Sequence, residues 1–191
     1  SQIKLNRVEI NKYISGKVVM ITGAAGSIGS ELVKQISPFN PQKLILVDQA
    51  ESPIYDLDID IRSKYGEQLT EVVVADVRNN SRMKSVFKEY RPQIVFHAAA
   101  YKHVPLMETN PTEAVRTNVQ GTKTLVDLSS EYEVEKFILI STDKAVNPTN
   151  IMGASKRIAE IYAQAANEHS YTKFITTRFG NVLGSNGSVI P

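Results

Sequence analysis

Residues 17–36 read as a strand, a glycine turn and a helix with nothing between them. Val18, Val19, Met20 and Ile21 form a short apolar run. Gly23, Gly26 and Gly29 follow at three-residue spacing, and Ile28, Leu32, Val33 and Ile36 then recur at helical period. A chain that leaves a strand and enters a helix at once needs backbone angles that side chains resist and glycine allows. A pyrophosphate also approaches such a helix N-terminus closely only where no Cβ intervenes. A plain tight turn would account for the glycines alone. Asp48 argues for more, because it ends a second apolar run, Leu44 to Val47, about 20 residues further on. A carboxylate there accepts hydrogen bonds from an adenosine ribose and repels a 2′-phosphate. The stretch therefore predicts a site for NAD rather than NADP, formed by Gly23, Gly26, Ser27, Ile28, Gly29 and Asp48.

The rest of the chain repeats the same alternation. Strands are expected at roughly 17–22, 43–47, 70–75, 93–97, 136–140 and 173–178, and helices at roughly 27–37, 51–65, 82–90, 112–132 and 152–168. The helical stripes are Ile54, Leu57, Ile61 and Tyr65; Met83, Val86 and Phe87; and Val115, Val119, Leu125 and Leu128. Residues 1–16 read as a polar lead-in, and 17–191 as one α/β domain, a Rossmann-like doubly wound parallel sheet with helices on both faces. In such a sheet ligands gather at the carboxyl ends of the strands.

Composition narrows the classes of function. The 191 residues carry a net charge of +2 with no basic block, so nucleic-acid binding has no electrostatic footprint. Cysteine is absent, which excludes disulfides and Cys-based metal sites and fits a reducing, cytoplasmic compartment. No metal site is expected. No apolar run approaches the ~20 residues of a membrane helix, and there is no signal-peptide pattern.

Several polar residues fall at the predicted strand ends. Asp76 and Val77 suit an adenine, the carboxylate accepting from the exocyclic amine and the valine covering the ring; a helix N-cap is the ordinary alternative for Asp76. Ala98, Ala99 and Ala100 permit close approach of a cofactor, or equally pack a core. Lys102 and His103 would face the mouth of a site there, where lysine meets a phosphate or a sugar hydroxyl. Asn118 is a poor helix former inside a helix, placed to hydrogen-bond backbone near the fourth strand. Met152 and Lys156 lie four apart and share a helix face.

At Ser141-Thr142-Asp143-Lys144-Ala145-Val146-Asn147-Pro148 the chain resembles the nucleotide-sugar 4,6-dehydratases of the extended short-chain dehydrogenase/reductase superfamily. The stretches 99–108 and 178–185 point the same way, and the match is closest to the UDP-N-acetylglucosamine 4,6-dehydratases of bacterial polysaccharide and glycan synthesis. The superfamily signature is Tyr-x-x-x-Lys; this chain keeps Lys156 but has Met152 in the tyrosine's place, as in a membrane-anchored subgroup. A core methionine is the structural alternative.

The resemblance implies bound NAD, used but not consumed. Hydride leaves sugar C4, a proton leaves C5, hydroxide leaves C6, and the hydride returns at C6. Asp143 is assigned as the acid for C6 and Lys144 as the base for C5, both starting neutral through desolvation. Thr142, a water or Asp143 takes the C4 hydroxyl proton. Lys156 holds the nicotinamide ribose; Lys102, His103 and Asn181 contact the UDP-sugar. A homo-oligomer is implied, as is a membrane anchor outside this segment with the domain on the cytoplasmic side. Family members continue beyond Pro191 into a part that grips the nucleotide-sugar, so this chain is expected to bind NAD and turn over little substrate. The rival expectations are a 4-epimerase and a non-catalytic NAD-binding module.

Overall fold

The computed structural model describes residues 7–180. Among them, six strands form one parallel sheet: β1 (Val18–Thr22), β2 (Lys43–Asp48), β3 (Thr70–Val74), β4 (Ile94–His97), β5 (Lys136–Thr142) and β6 (Lys173–Phe179). Their order is β3-β2-β1-β4-β5-β6. The connections reverse direction between β1 and β4, which opens a crevice at the carboxyl ends of those two strands.

The central strands β1, β2, β4 and β5 are largely apolar and buried because both faces of the sheet are covered there, whereas the edge strands β3 and β6 carry polar and exposed residues. Met20, Ile45, Val47, Val95, Phe137 and Leu139 face a cluster completed by helices α4 (Asn80–Tyr90), α7 (Thr122–Glu131) and α8 (Ile151–Ala166). Their neighbours Val19, Ile21, Leu44, Leu46 and Ile94 face the opposite cluster, under α2 (Ser27–Ile36) and α3 (Glu51–Tyr65). The alternation follows from the two-residue period of a strand. The helical stripes on α3 and α4 are buried as expected, except that Tyr65 is exposed at the end of α3.

The structure corrects the expected elements in two places. Residues Arg7–Ile14, read as lead-in, form a helix, α1. Ile14 packs into the cluster under α2 and α3, Arg7 lies over the Phe39 ring, and Lys136 lies over the Tyr13 ring. With Ile10 packed beside it, Ile14 is one of only two apolar anchors, and with two cation–π contacts they make a short helix with little periodic signal to read.

The long helix expected at 112–132 is three pieces: α6 (Pro111–Ala114), a π-helical segment (Val115–Gly121) and α7. A short α5 (Val104–Thr109) precedes them. The wider π turn shifts the register, so Val115 is exposed and Val119 only half-buried, while Thr117, Asn118, Gly121 and Thr122 face inward. Leu125 and Leu128, beyond the shift, are buried as expected. Gly121 is required here: a Cβ on it would lie 2.8 Å from Val77 Cγ2.

Phe137 is fully buried near the start of β5, with ring centroids of Phe174 at 5.4 Å and His97 at 6.0 Å. Replacing it with alanine should cost about 3–5 kcal/mol, by loss of burial and the cavity left behind. Denaturant unfolding of Phe137→Ala measures this directly.

Candidate functional site

The turn after β1 is a close-packed knot of backbone. Gly23 has φ +68°, and a Cβ on it would lie 2.5 Å from the Ala99 nitrogen and 2.7 Å from the Ala98 carbonyl carbon. A Cβ on Gly29 would lie 2.0 Å from the Gly23 carbonyl oxygen. The first and third glycines thus let β1, α2 and the end of β4 touch. Gly26 differs: it is exposed and opens α2 as an N-cap with no side-chain hydrogen bond to the helix N–H groups. Those donors point to where an anion would sit.

A cleft runs from this turn across the carboxyl ends of the strands. Gly23, Gly26, Asp48, Asp76, Val77, Ala98, Ala99 and Ala100 line it, as the sequence predicts, together with Val47, Gln49, Ala75, Tyr101 and Thr117. Ser27, Ile28, Gly29 and Lys156 are not among its walls. Gly29 lies beneath the loop and acts by packing, since its Cβ position is filled by Gly23.

The two predicted carboxylates are held in place from behind. Asp48 accepts from the Ala25 and Ala50 backbone N–H groups, each at 2.9 Å, through different oxygens. Each oxygen keeps acceptor capacity for a ligand. Asp76 accepts from the Arg78 backbone N–H at 2.9 Å and its Nε at 2.7 Å, while Arg78 also reaches Glu113 at 2.6 Å. Burial alone would raise the Asp76 carboxyl, but the Arg78 guanidinium and N–H outweigh it and hold the group below its ordinary value. Asp76 is not a helix cap. Asn79 caps α4, accepting from the Arg82 N–H.

Thr117 is the most informative of the cleft residues the sequence reading missed. Its side chain is buried in the cleft wall and its Oγ1 has no hydrogen-bond partner among the described residues. Buried hydroxyls are rarely left so. Two poor helix formers in a row, Thr117 and Asn118, were the available signal. Asn118 behaves as predicted: its Oδ1 accepts from the Tyr101 N–H at 2.9 Å, and its Nδ2 donates to the Tyr101 carbonyl at 3.0 Å and to Ser155 Oγ at 2.9 Å.

The second group of predicted residues lies beyond the cleft, at the end of β5 and the start of α8. Thr142 Oγ1 donates to Asp143 Oδ1 at 3.0 Å, and the Lys144 ammonium is 3.8 Å from the same oxygen. A 3₁₀ turn, Asp143–Ala145, carries both. It rests on α8 at Gly153, where a Cβ would be 2.5 Å from the Lys144 carbonyl oxygen. The expected desolvation of this pair is not found: the Asp143 and Lys144 side chains are 62% and 40% exposed. No wall among the described residues covers them.

Met152 is buried with Met107 and Ala114, against Tyr101, Val104 and Ile151. A thioether carries no exchangeable proton, so this position supplies packing and shape. Lys156 is buried and donates to the Ile140 carbonyl at 2.7 Å. Burial pushes its ammonium down to about 8, against the opposing charge of Glu160. Glu160 in turn holds Arg178 through both carboxylate oxygens, at 3.0 and 2.7 Å. Lys102 and His103 are exposed in the loop after β4, outside the cleft wall. Asn181 lies outside the described residues.

The pH dependence of Lys156 has a definite sign. The folded state holds the lysine low, so the unfolded chain binds more protons between about pH 8 and pH 10.5, and stability rises across that window. Relative to Lys156→Met, the wild-type chain should gain about 2–3 kcal/mol from pH 7 to pH 10.5. Urea unfolding of both at each pH checks it.

Residues 19–191 match the family model described as "Polysaccharide biosynthesis protein". The chain is 51% identical over 191 residues to the capsular polysaccharide biosynthesis protein CapD of Staphylococcus aureus, covering 99% of this chain and 32% of that protein. It is 36% identical over 181 residues to the UDP-N-acetylglucosamine 4,6-dehydratase (inverting) of Campylobacter jejuni, covering 93% of this chain and 52% of that enzyme. The crystal structure of Pen from Bacillus thuringiensis superposes with a TM-score of 0.85 at 34% identity, over 93% of this chain and 54% of that one. Structures at 22–23% identity, several of them complexes with NAD, share the fold. The chain spans about a third of CapD and about half of the dehydratase. By sequence and by fold, it belongs to the polysaccharide biosynthesis protein family, within the extended short-chain dehydrogenase/reductase superfamily.

Proposed function

We propose that this chain is the NAD-binding part of a UDP-N-acetylglucosamine 4,6-dehydratase. The single observation that carries the proposal is the placement of Thr142, Asp143 and Lys144 at the carboxyl end of β5, on the same edge of the sheet as the glycine-turn cleft. The similarity to the Campylobacter jejuni dehydratase supports it.

The cleft fits the dinucleotide on three counts of its own. The α2 N-terminus is uncapped at Gly26, the space above Gly23 admits no side chain, and Thr117 Oγ1 is buried without a partner. In this assignment Gly26, Ser27 and Ile28 face the pyrophosphate, Asp48 the adenosine ribose, and Asp76, Val77 and Thr117 the adenine. Ala98 to Ala100 give close approach along the middle, and Lys156 holds the nicotinamide ribose. NAD held there would supply a reversible hydride acceptor for the oxidation at sugar C4 and the reduction at C6.

The chain's own residues supply the proton transfers. Asp143 protonates the C6 hydroxyl as it leaves, and Lys144 takes the C5 proton. Their functional atoms are 3.8 Å apart, which suits groups acting on adjacent carbons. The ion pair seen between them is the state that elimination leaves behind: ammonium formed, carboxylate released. Both side chains are exposed here, so the pair itself contributes little to stability. In this reading the bound sugar is what displaces water from them. Thr142, a water or Asp143 serves the C4 hydroxyl, since Met152 cannot. Lys102, His103 and Asn181 contact the UDP-sugar. The working protein is a homo-oligomer on the cytoplasmic side of a membrane, held by an anchor outside this segment.

The test uses a longer form of the protein, matching the length of the dehydratase relatives, incubated with UDP-N-acetylglucosamine. Mass and NMR analysis should show a 4-keto-6-deoxy sugar nucleotide. Asp143→Asn and Lys144→Ala should each abolish that product while leaving NAD bound. A product epimerised at C4 with its C6 hydroxyl intact would make the protein an epimerase, and undiminished turnover in either variant would remove these two roles.

A further inference from the structure

His97 closes β4, immediately before the alanines of the cleft, and is 1% exposed. The proposed chemistry does not use it. Its Nδ1 is 2.7 Å from Thr22 Oγ1, at the end of β1, and its Nε2 is 3.0 Å from Thr122 Oγ1, just past the π-helical segment. Thr122 Oγ1 in turn donates to the Asn118 carbonyl at 2.7 Å.

Counting protons settles the direction of every bond. The single Thr122 hydroxyl proton goes to a carbonyl, which can only accept. Thr122 must therefore accept from His97, so Nε2 carries a proton. An Nδ1 lone pair then accepts from the Thr22 hydroxyl. Beyond Asn118, its Nδ2 donates to Ser155 Oγ, and Ser155 donates to the Met152 carbonyl at 2.7 Å. The chain of bonds starts where the glycine turn begins and ends on α8, one residue before Lys156. Each side chain along it is satisfied in one proton arrangement only. A second proton on His97 would face the Thr22 hydroxyl and break the order.

We propose that His97, as a neutral imidazole protonated on Nε2, is a positioning residue that ties the π-helical segment, and through Asn118 the Ser155 face of α8, to the end of β1. The π-helical segment carries Thr117 into the cleft wall, so the tie sets the shape of the cofactor cleft as well as the seat of Lys156. Burial, together with the nearby Lys156 charge, pushes the imidazole down to about 3, consistent with a permanently neutral ring. The affinity arm of the test below rests on the NAD-binding role proposed above; the spectroscopic arm does not.

The first measurement needs no variant. Side-chain ¹⁵N–¹H NMR of this chain should show His97 neutral, with its proton on Nε2, and unchanged from about pH 5 to pH 8. A proton on Nδ1, or titration within that range, would overturn the proposal. The second compares two substitutions by calorimetric titration with NAD. Gln can place an N–H near the former Nε2 and keep the bond to Thr122; Asn keeps only an acceptor for Thr22. His97→Gln should bind NAD within about twofold of wild type and His97→Asn about tenfold more weakly, because only Gln keeps the N–H donor to Thr122 that holds the π-helical segment in place. Equal losses in the two variants, or none in either, would also overturn it. If His97→Asn fails to fold, the NMR result decides alone. If wild type itself fails to bind NAD while the His97 signature holds, the cofactor assignment falls and the positioning role stands.

Discussion

The approach of three backbone segments at the end of β1 governs the rest of this structure. The Gly23 carbonyl occupies the space where Gly29 would carry a side chain, and the Ala98–Ala99 backbone occupies the corresponding space at Gly23. Strand β1, helix α2 and the exit of β4 are therefore in contact with no side chains between them. That contact sets the height of α2 above the sheet, leaves its first N–H groups facing the crevice, and brings the three alanines alongside. The connections of the sheet reverse at the same point, so the crevice and the helix N-terminus coincide. A dinucleotide site there is a consequence of packing as much as of any polar residue.

Much of this was legible in the residues because it depends on local spacing. The glycines, the two apolar runs and Asp48 define strand, turn, helix and strand within one stretch, and each was found where expected. Asn118 was legible for a different reason: a poor helix former inside a helix signals a side chain committed elsewhere. What escaped depends on geometry that spacing does not encode. The π-helical segment widens one stretch of a helix whose hydrophobic period looks ordinary, and the register slip it causes turns Val115 out and Thr117 in. The helix α1 escaped because it is short and its apolar face is a single pair, Ile10 and Ile14, supplemented by two cation–π contacts. The exposure of Asp143 and Lys144 escaped because burial is a property of the surroundings, and the residues themselves suggested only their chemistry.

The two halves of the candidate site differ in kind. The adenosine half is walled, its carboxylates are fixed by backbone N–H groups and by Arg78, and a single hydroxyl awaits a partner. The half at the end of β5 is open, with the Asp143 and Lys144 side chains exposed. A preformed cofactor cradle beside an open reaction edge suits a cofactor that stays while substrates come and go. Between the halves runs the buried relay of Thr22, His97, Thr122, Asn118 and Ser155. Low local dielectric makes each of its bonds costly to break singly.

Gly153 links helix packing to reactivity. The Lys144 carbonyl sits where that glycine has only a hydrogen, so the peptide bearing the two charged side chains is pressed against the first turn of α8. Any residue larger than glycine would lift the peptide and tilt both groups together. The reach of Asp143 and that of Lys144 are therefore set together, and an engineer altering one must expect the other to move with it.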